Sequence, residues 1–183
     1  MKYLETPLKG AYVIEPQPFR DKRGLFARTF CKEDFKAIHH SGEFVQFNHS
    51  HTNRKGALRG LHYQVPPRSE IKLIRCIRGM VYDVIVDIRK GSPTFLEFFG
   101  VELSAENMRS IYVPEGFAHG FQTLEEDTEL IYHHSDYYSP EHEGAIRYND
   151  PRLGIEWPMD PSEISEKDKN QPLLNHSFKG VVI

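Results

Sequence analysis

Cysteine is scarce. Cys31 and Cys76 are the only two in 183 residues and no CxxC spacing joins them, which excludes a disulfide-stapled secreted scaffold and a thiolate metal knuckle. Both read as reduced thiols of a cytoplasmic protein. Long apolar runs are missing as well. No stretch approaches the roughly 18 residues that a membrane-spanning helix needs, and MKYLETPLKGAYVIEP at the start lacks the continuous apolar centre of a signal peptide. Nor is there an excess of one charge: 23 Lys and Arg stand against 26 Asp and Glu, a net −3. No global field therefore recruits nucleic acid or an anionic membrane, although a local group of Arg and Lys would suffice for a phosphate-bearing small molecule. No internal repeat or low-complexity segment is visible. Length and an ordinary 39% hydrophobic content fit one domain over residues 1–183 with a full core.

What the chain does have is β-pattern. Residues 8–30 alternate short strand-like runs around a turn at Arg20-Asp21-Lys22-Arg23-Gly24, with Arg23 and Arg28 bracketing Phe26. CKEDFKAIHH (31–40) predicts a short helix with Phe35 and Ile38 inward and Gly42 as its stop. From Phe44 onwards, strand patterns recur: FVQFNHS, Met80 to Ile88, Phe95 to Leu103, Arg109 to Val113 and Thr128 to Tyr138. In FVQFNHS the side chains of Gln46 and Asn48 share a face, because strand side chains alternate. In MVYDVIVDI, Tyr82, Val84, Val86 and Ile88 alternate against Asp83 and Asp87. Turn signals separate these runs. Many short strands and one weak helix predict a mainly β, antiparallel sandwich or barrel. After Trp157-Pro158 the chain turns polar, and residues 158–183 read as a helical turn near Ser165-Asp168 followed by a tail.

The chemistry concentrates in GALRGLHYQVPPRSEIKLIRCIRG (56–79), where Arg59, His62, Gln64, Lys72 and Arg75 occupy a segment that otherwise reads as two strands. Gly56, five residues, then His62-Tyr63-Gln64, followed by Lys72, six residues and then Gly79, resembles the first motif of a cupin jelly roll. Pro114-Glu115-Gly116-Phe117-Ala118-His119 resembles the second. Metal-binding cupins supply two His, an acid and a later His as ligands. Gln64 stands for one of those His and Lys72 for the acid, so no metal site is expected. A lysine aimed into a cavity offers fixed positive charge to an oxyanion, and an imidazole is a natural general base near neutral pH. Base plus oxyanion stabiliser suits proton abstraction beside a carbonyl. The same His62, Lys72 and His119 would equally form a hydrogen-bonded polar cluster in an empty barrel mouth, and the residues alone leave both open.

GALRGLHYQ, KLIR, DVIVDIR, GSPTF, VELSAEN, VPEGFAHGF, YYSPEHEGAIRYNDP and GIEWP, in order and spread from about Thr6 to Leu174, together resemble the dTDP-4-dehydrorhamnose 3,5-epimerase family. The resemblance implies a cupin-type jelly roll, no cofactor, and a homodimer in which an N-terminal arm (1–30) reaches the partner's site. It implies isomerase activity: inversion at C3 and C5 of a nucleotide-linked 4-keto-6-deoxyhexose, on the way to rhamnose in cell-surface polysaccharide. Matched residue by residue, His62 is similar to the family's proton acceptor, Asp168 to the acid that supports it, Lys72 to the lysine at the C4 oxygen and Tyr132 to the proton donor. Arg23 and Phe26 resemble the arm's contacts to ligand; Gln46, Asn48, Arg59, His119, Glu143 and Lys167 fall at further ligand positions, with Arg59 suited to the diphosphate. Tyr138 either stacks on the base or simply packs.

Two positions depart from the family pattern. Arg28 stands where a glutamate usually faces the base, exchanging an acceptor for a donor. Glu70 replaces a glutamine two residues before Lys72, and a carboxylate there would change how the lysine is held. The proton-transfer set is untouched, while the identity of the base, and of the centre or centres inverted, stays open. A single-centre epimerase, a keto-sugar isomerase and a non-catalytic sugar-nucleotide binder are the rival readings, with a metal-dependent cupin oxygenase disfavoured by its missing ligands.

Overall fold

The structure is a computed structural model and describes residues 1–40 and 42–183. In chain order the strands are β1 (Lys2–Glu5), β2 (Tyr12–Glu15), β3 (Phe19–Asp21), β4 (Gly24–Phe26), β5 (Gln46–Thr52), β6 (Ala57–Gln64), β7 (Lys72–Arg78), β8 (Met80–Asp87), β9 (Phe98–Ser104), β10 (Ser110–Val113), β11 (Phe117–Thr123), β12 (Thr128–His134), β13 (Glu143–Ala145) and β14 (Glu163–Ile164). Among the described residues helix is confined to 3-10 turns at Asp34–Ile38 and Pro140–His142 and to α1 (Glu166–Lys169). Two sheets make the body, one ordered β1-β2-β10-β7-β12-β5 and the other β13-β6-β11-β8-β9. Their pairings are antiparallel, with β14 added parallel to β6. The result is the antiparallel jelly roll that the motifs predict.

Alternation explains how this sequence fills two layers. Strand β8 lies between β11 and β9. Its Val81 and Ile85 join Leu103, Ile111, Phe121 and Leu130 in the cluster between the sheets, while Val84 and Val86 join Leu61, Ile146 and Val181 on the outer side. Asp83 therefore shares the inward face with Val81 and Ile85, and it is 0% exposed. The expected alternation holds, and both faces of β8 are covered, with Asp83 on the inward one.

Other boundaries move for local reasons. The 31–40 segment forms a 3-10 turn rather than an α-helix, with Phe35 and Ile38 buried as expected, and it is ended by His39 in the left-handed region (φ 61°) rather than by Gly42. The strand expected from Phe95 begins at Phe98, because residues 89–97 close successive turns. Likewise β12 stops at His134, short of Tyr138. Of the expected arm, β1 and β2 lie in the chain's own sheet beside β10, and only the β3–β4 hairpin forms a separate two-stranded sheet. The C-terminal segment is anchored: Val181 is buried, and Leu174 and Phe178 pack on the outer cluster.

Candidate active site

A cavity of about 670 Å³ is lined from both sheets, and His62, Lys72, His119, Tyr132 and Asp168 all line it. Its size fits a small-molecule site, which spans roughly 300–1,000 Å³. The two walls are chemically different. His62 and His119 come from β6 and β11 of one sheet, Lys72 and Tyr132 from β7 and β12 of the other.

On the first wall His62 Nε2 donates to Asp168 Oδ1 at 2.7 Å. A carboxylate only accepts, so the proton sits on Nε2 and leaves Nδ1 as the basic nitrogen when the ring is neutral. Asp168 arrives from α1, whose N-cap Ser165 accepts from the Asp168 N–H at 3.1 Å. Burial by itself would raise the Asp168 carboxyl, but the His62 hydrogen bond and charge, with contributions from the Gly60 N–H and Ser165, hold it below the usual carboxylate value. The pair is thus an imidazole backed by an ionised acid.

Gly60 sets the shape of this wall. Its φ is +117°, and a Cβ there would lie 2.6 Å from Gly120 Cα and 2.7 Å from the His119 carbonyl. Opposite it, the β6–β11 register shifts between His119 and Phe121. Strict alternation would send Arg59 and His62 to opposite faces; across this irregularity both line the cavity. Gly60 also presents its N–H to Asp168 Oδ2 at 3.4 Å.

On the second wall Lys72 begins β7 and is almost wholly buried, its Nζ 3.4 Å from the His62 carbonyl and 3.3 Å from Glu70 Oε1. The carboxylate that departs from the family pattern is therefore in contact with the lysine. Tyr132 is half-buried, edge-on to His119 with ring centres 6.0 Å apart. Burial first, and the Asp83 charge second, push its hydroxyl well above the usual phenol range, so it stands in the cavity as a neutral O–H donor.

Sequence reasoning missed Asp83. It receives His119 Nε2 on both carboxylate oxygens, at 2.9 and 3.0 Å, with both side chains buried. Burial raises the Asp83 carboxyl despite the opposing pull of His119. The available signal was an aspartate inside a run of β-branched residues. His134 was missed too: its Nδ1 lies 2.6 Å from Glu70 Oε2 and its ring stacks at 14° on Tyr132.

At the cavity mouth Glu143 accepts from Lys167 Nζ at 2.6 Å and from the Tyr138 hydroxyl at 3.2 Å. Arg59 donates to Thr52 Oγ1 and to the His51 carbonyl, at 3.2 and 3.4 Å. Asn48 lines the cavity, whereas Gln46 stands beside it and accepts from the Tyr138 N–H at 3.0 Å. The remaining expected contacts lie outside this chain's cavity. Arg23 pairs with Asp21 at 2.6 Å, Arg28 with Asp34 at 3.3 Å, and Phe26 is 77% exposed on β4. Among the described residues no group of three His, Cys, Asp or Glu is placed to hold a metal ion. Gln64, at the position of a cupin ligand, instead hydrogen-bonds three backbone groups, the Arg68 and Tyr137 carbonyls and the Ser139 N–H.

His62 and Asp168 thus meet on one side of the cavity, and Lys72 and Tyr132 stand on the other. The sequence profile of dTDP-4-dehydrorhamnose 3,5-epimerase matches residues 5–176. The chain belongs to that family. It is 46% identical over 180 residues to a Salmonella typhimurium dTDP-4-dehydrorhamnose 3,5-epimerase, covering 97% of this chain and 98% of that protein. Among solved structures, the Bacillus anthracis dTDP-4-dehydrorhamnose 3,5-epimerase with TDP and PPi bound superposes with a TM-score of 0.91 at 43% identity, over 94% of this chain and 99% of that one. The Legionella pneumophila dTDP-6-deoxy-D-glucose-3,5-epimerase in complex with dTDP-4-keto-L-rhamnose gives 0.89 at 41% identity, over 94% and 92%. As a member of this epimerase family the chain is an isomerase. No helix among the described residues is long and apolar enough to cross a membrane.

Proposed function

We propose that this protein epimerises a dTDP-linked 4-keto-6-deoxyhexose at C3 and C5, by proton removal and return through an enolate. The observation that carries the reading is the pairing of walls: His62 on one sheet, backed by Asp168 from α1, lies across the cavity from Tyr132 and Lys72 on the other. His62 Nδ1 takes the proton alpha to the C4 ketone, and Asp168 steadies the imidazolium that results. Lys72 offers its ammonium to the oxygen as charge develops there. Tyr132 returns a proton to the opposite face of the ring, which inverts the centre. Arg59, His119, Asn48, Tyr138, Glu143 and Lys167 hold the sugar and its diphosphate nucleotide, so that remote binding energy orients the ring between base and acid. No step of this scheme uses a metal or cofactor.

Arg23, Phe26 and Arg28 fit the reading as contacts to a neighbouring protomer's ligand in a homodimer. The β3–β4 hairpin exposes Phe19, Leu25 and Phe26, a group of apolar side chains that a second copy would cover. Free Cys31 and Cys76 are in keeping with a cytoplasmic site of action, and rhamnose-containing polysaccharide would be the downstream use of the product.

The test is proton NMR of the purified protein with dTDP-4-keto-6-deoxyglucose in deuterated water containing EDTA. Loss of both the C3 and C5 proton signals is expected. Tyr132→Phe should still exchange at C3 or C5 but form no inverted product, since the base alone opens each centre. Exchange at one carbon would replace the reading by a single-centre epimerase, and none would favour a non-catalytic binder.

A further inference from the structure

The Lys72 contact with Glu70 is the end of a longer chain of hydrogen bonds in which every group has one possible role. Glu70 Oε1 lies 3.3 Å from Lys72 Nζ, and its Oε2 lies 2.6 Å from His134 Nδ1. A carboxylate only accepts, so Nδ1 carries a proton. The other ring nitrogen, Nε2, is 3.2 Å from Asn48 Nδ2; an amide nitrogen only donates, so Nε2 accepts and the ring is neutral. Asn48 Oδ1 in turn accepts from Gln46 Nε2 at 3.3 Å, and Gln46 Oε1 accepts from the Tyr138 N–H at 3.0 Å. No donor meets a donor along the path from the 135–139 loop through β5 and β12 to the lysine. The side chains of Glu70, His134 and Lys72 are each no more than 10% exposed.

We infer that Glu70 and His134 are positioning residues for Lys72, clamping its ammonium at one point of the cavity wall. This rests on the reading of Lys72 as the group that meets the developing C4 oxyanion. A free lysine stem carries rotamer entropy that must be lost on ordering, so a lysine tethered before substrate arrives needs no ordering during the reaction. Near-complete burial disfavours an ammonium, and an adjacent carboxylate favours it. Among the groups that share the cavity lining with Lys72 are Glu70, His62 on β6, His119 on β11, and Tyr132 and His134 on β12, with Asp83 on β8 behind His119. Of these, Glu70 is the one carboxylate within 4 Å of Nζ among the described residues. Burial alone would raise the Glu70 carboxyl, but His134 and Lys72 hold it below its ordinary value, so the clamp is ionised at neutral pH.

Three variants, Glu70→Gln, Glu70→Asp and His134→Phe, test the inference through kcat and KM from neutral to alkaline pH, with thermal unfolding as a check on folding. In Glu70→Gln, kcat should fall about ten- to a hundred-fold, the range of a misplaced catalytic contact. KM should stay within about twofold, and the alkaline limb of kcat should move to lower pH. Glu70→Asp keeps the charge and should keep the limb while losing kcat, because the shorter acid cannot span Lys72 and His134. His134→Phe retains the ring stack on Tyr132, loses both ring hydrogen bonds, and should lower kcat without moving the limb. An unchanged kcat and limb in Glu70→Gln would overturn the inference. So would a loss shared by kcat and folding with the limb unmoved, and so would an unaltered His134→Phe should Glu70→Gln fail to fold. Independently of turnover, the 15Nζ resonance of Lys72 should titrate at lower pH in Glu70→Gln than in the unmodified protein. That arm decides the clamp even if the wild-type chain exchanges no substrate protons, an outcome that would remove the proposed reaction instead.

Discussion

Replacing Asp168 by Asn separates two things that the carboxylate does for His62. Asp168 accepts from His62 Nε2 on Oδ1 and from the Gly60 N–H on Oδ2. An asparagine oxygen can serve one of those donors but not both. With the oxygen towards Gly60, the amide NH2 points at His62 Nε2, and the ring satisfies it by moving its proton to Nδ1. That tautomer has no lone pair facing the cavity, so the base is lost. Turned the other way, the NH2 meets the Gly60 N–H, donor against donor. The favourable arrangement is therefore the unreactive one. Loss of the charge-assisted bond alone is worth roughly 1.5–3 kcal/mol, or about 13- to 160-fold in rate. Loss of general-base function is worth about 10²- to 10⁴-fold. Asp168→Ala removes the support but leaves the tautomer free, so it should show the smaller loss and Asp168→Asn the larger. The assay is the initial rate of deuterium incorporation at C3 and C5, followed by NMR at saturating substrate, with circular dichroism to confirm folding. Asp168→Asn exchanging as fast as Asp168→Ala, or within about threefold of wild type, would refute the tautomer argument.

Two further predictions concern stability. Gly60→Ala forces an L side chain into φ +117° and against the Gly120 backbone. It should cost at least about 1–3 kcal/mol, read as a fall in Tm, together with a loss of kcat as His62 shifts; an unchanged Tm would count against the close approach of β6 and β11. Acidification should destabilise the protein through Glu70 and Asp168, both held below their ordinary values. Their contribution is complete above the unfolded carboxylate range, near pH 4, and is lost as the pH falls through their folded values. Asp83, raised by burial, has the opposite sign: its contribution is complete below the unfolded value and is lost as the pH rises through the folded one. Urea unfolding at pH 7 and pH 3 should therefore show a smaller drop in Glu70→Gln than in wild type, and equal drops would exclude Glu70 as a source.

That His62 and Lys72 line a cavity was legible from residues alone, because a histidine and a lysine at strand positions that face inward need a reason; what they do there was not. Asp168 was not. It reaches His62 across 106 residues of chain, and before folding it is an acid among other acids in SEISEKDKN; resemblance identified it, not spacing. Asp83 was missed for a different reason: a period of two reports that faces differ, not which face looks inward, and in β8 both are covered. The β6 irregularity hid the shared orientation of Arg59 and His62, since a register shift cancels the alternation on which such readings rest. Glu70 was noticed as a departure, but its partner His134 lies on β12, and nothing local joins the two until the sheet aligns His134 with Lys72.

Gln64 carries a consequence for redesign. A primary amide has two N–H donors and a carbonyl acceptor, and here the nitrogen bonds the Arg68 and Tyr137 carbonyls while the oxygen receives the Ser139 N–H. Histidine has one nitrogen for each role at most. Substituting it would add one imidazole to the cavity while untying the loops at residues 66–69 and 137–139, on the rim that also carries Tyr138. Converting this scaffold to metal chemistry is thus a matter of rebuilding two loops before any ion is offered, and a library that varies only the positions of His62, Gln64, Lys72 and His119 would be searching for ligands on a wall that no longer stands.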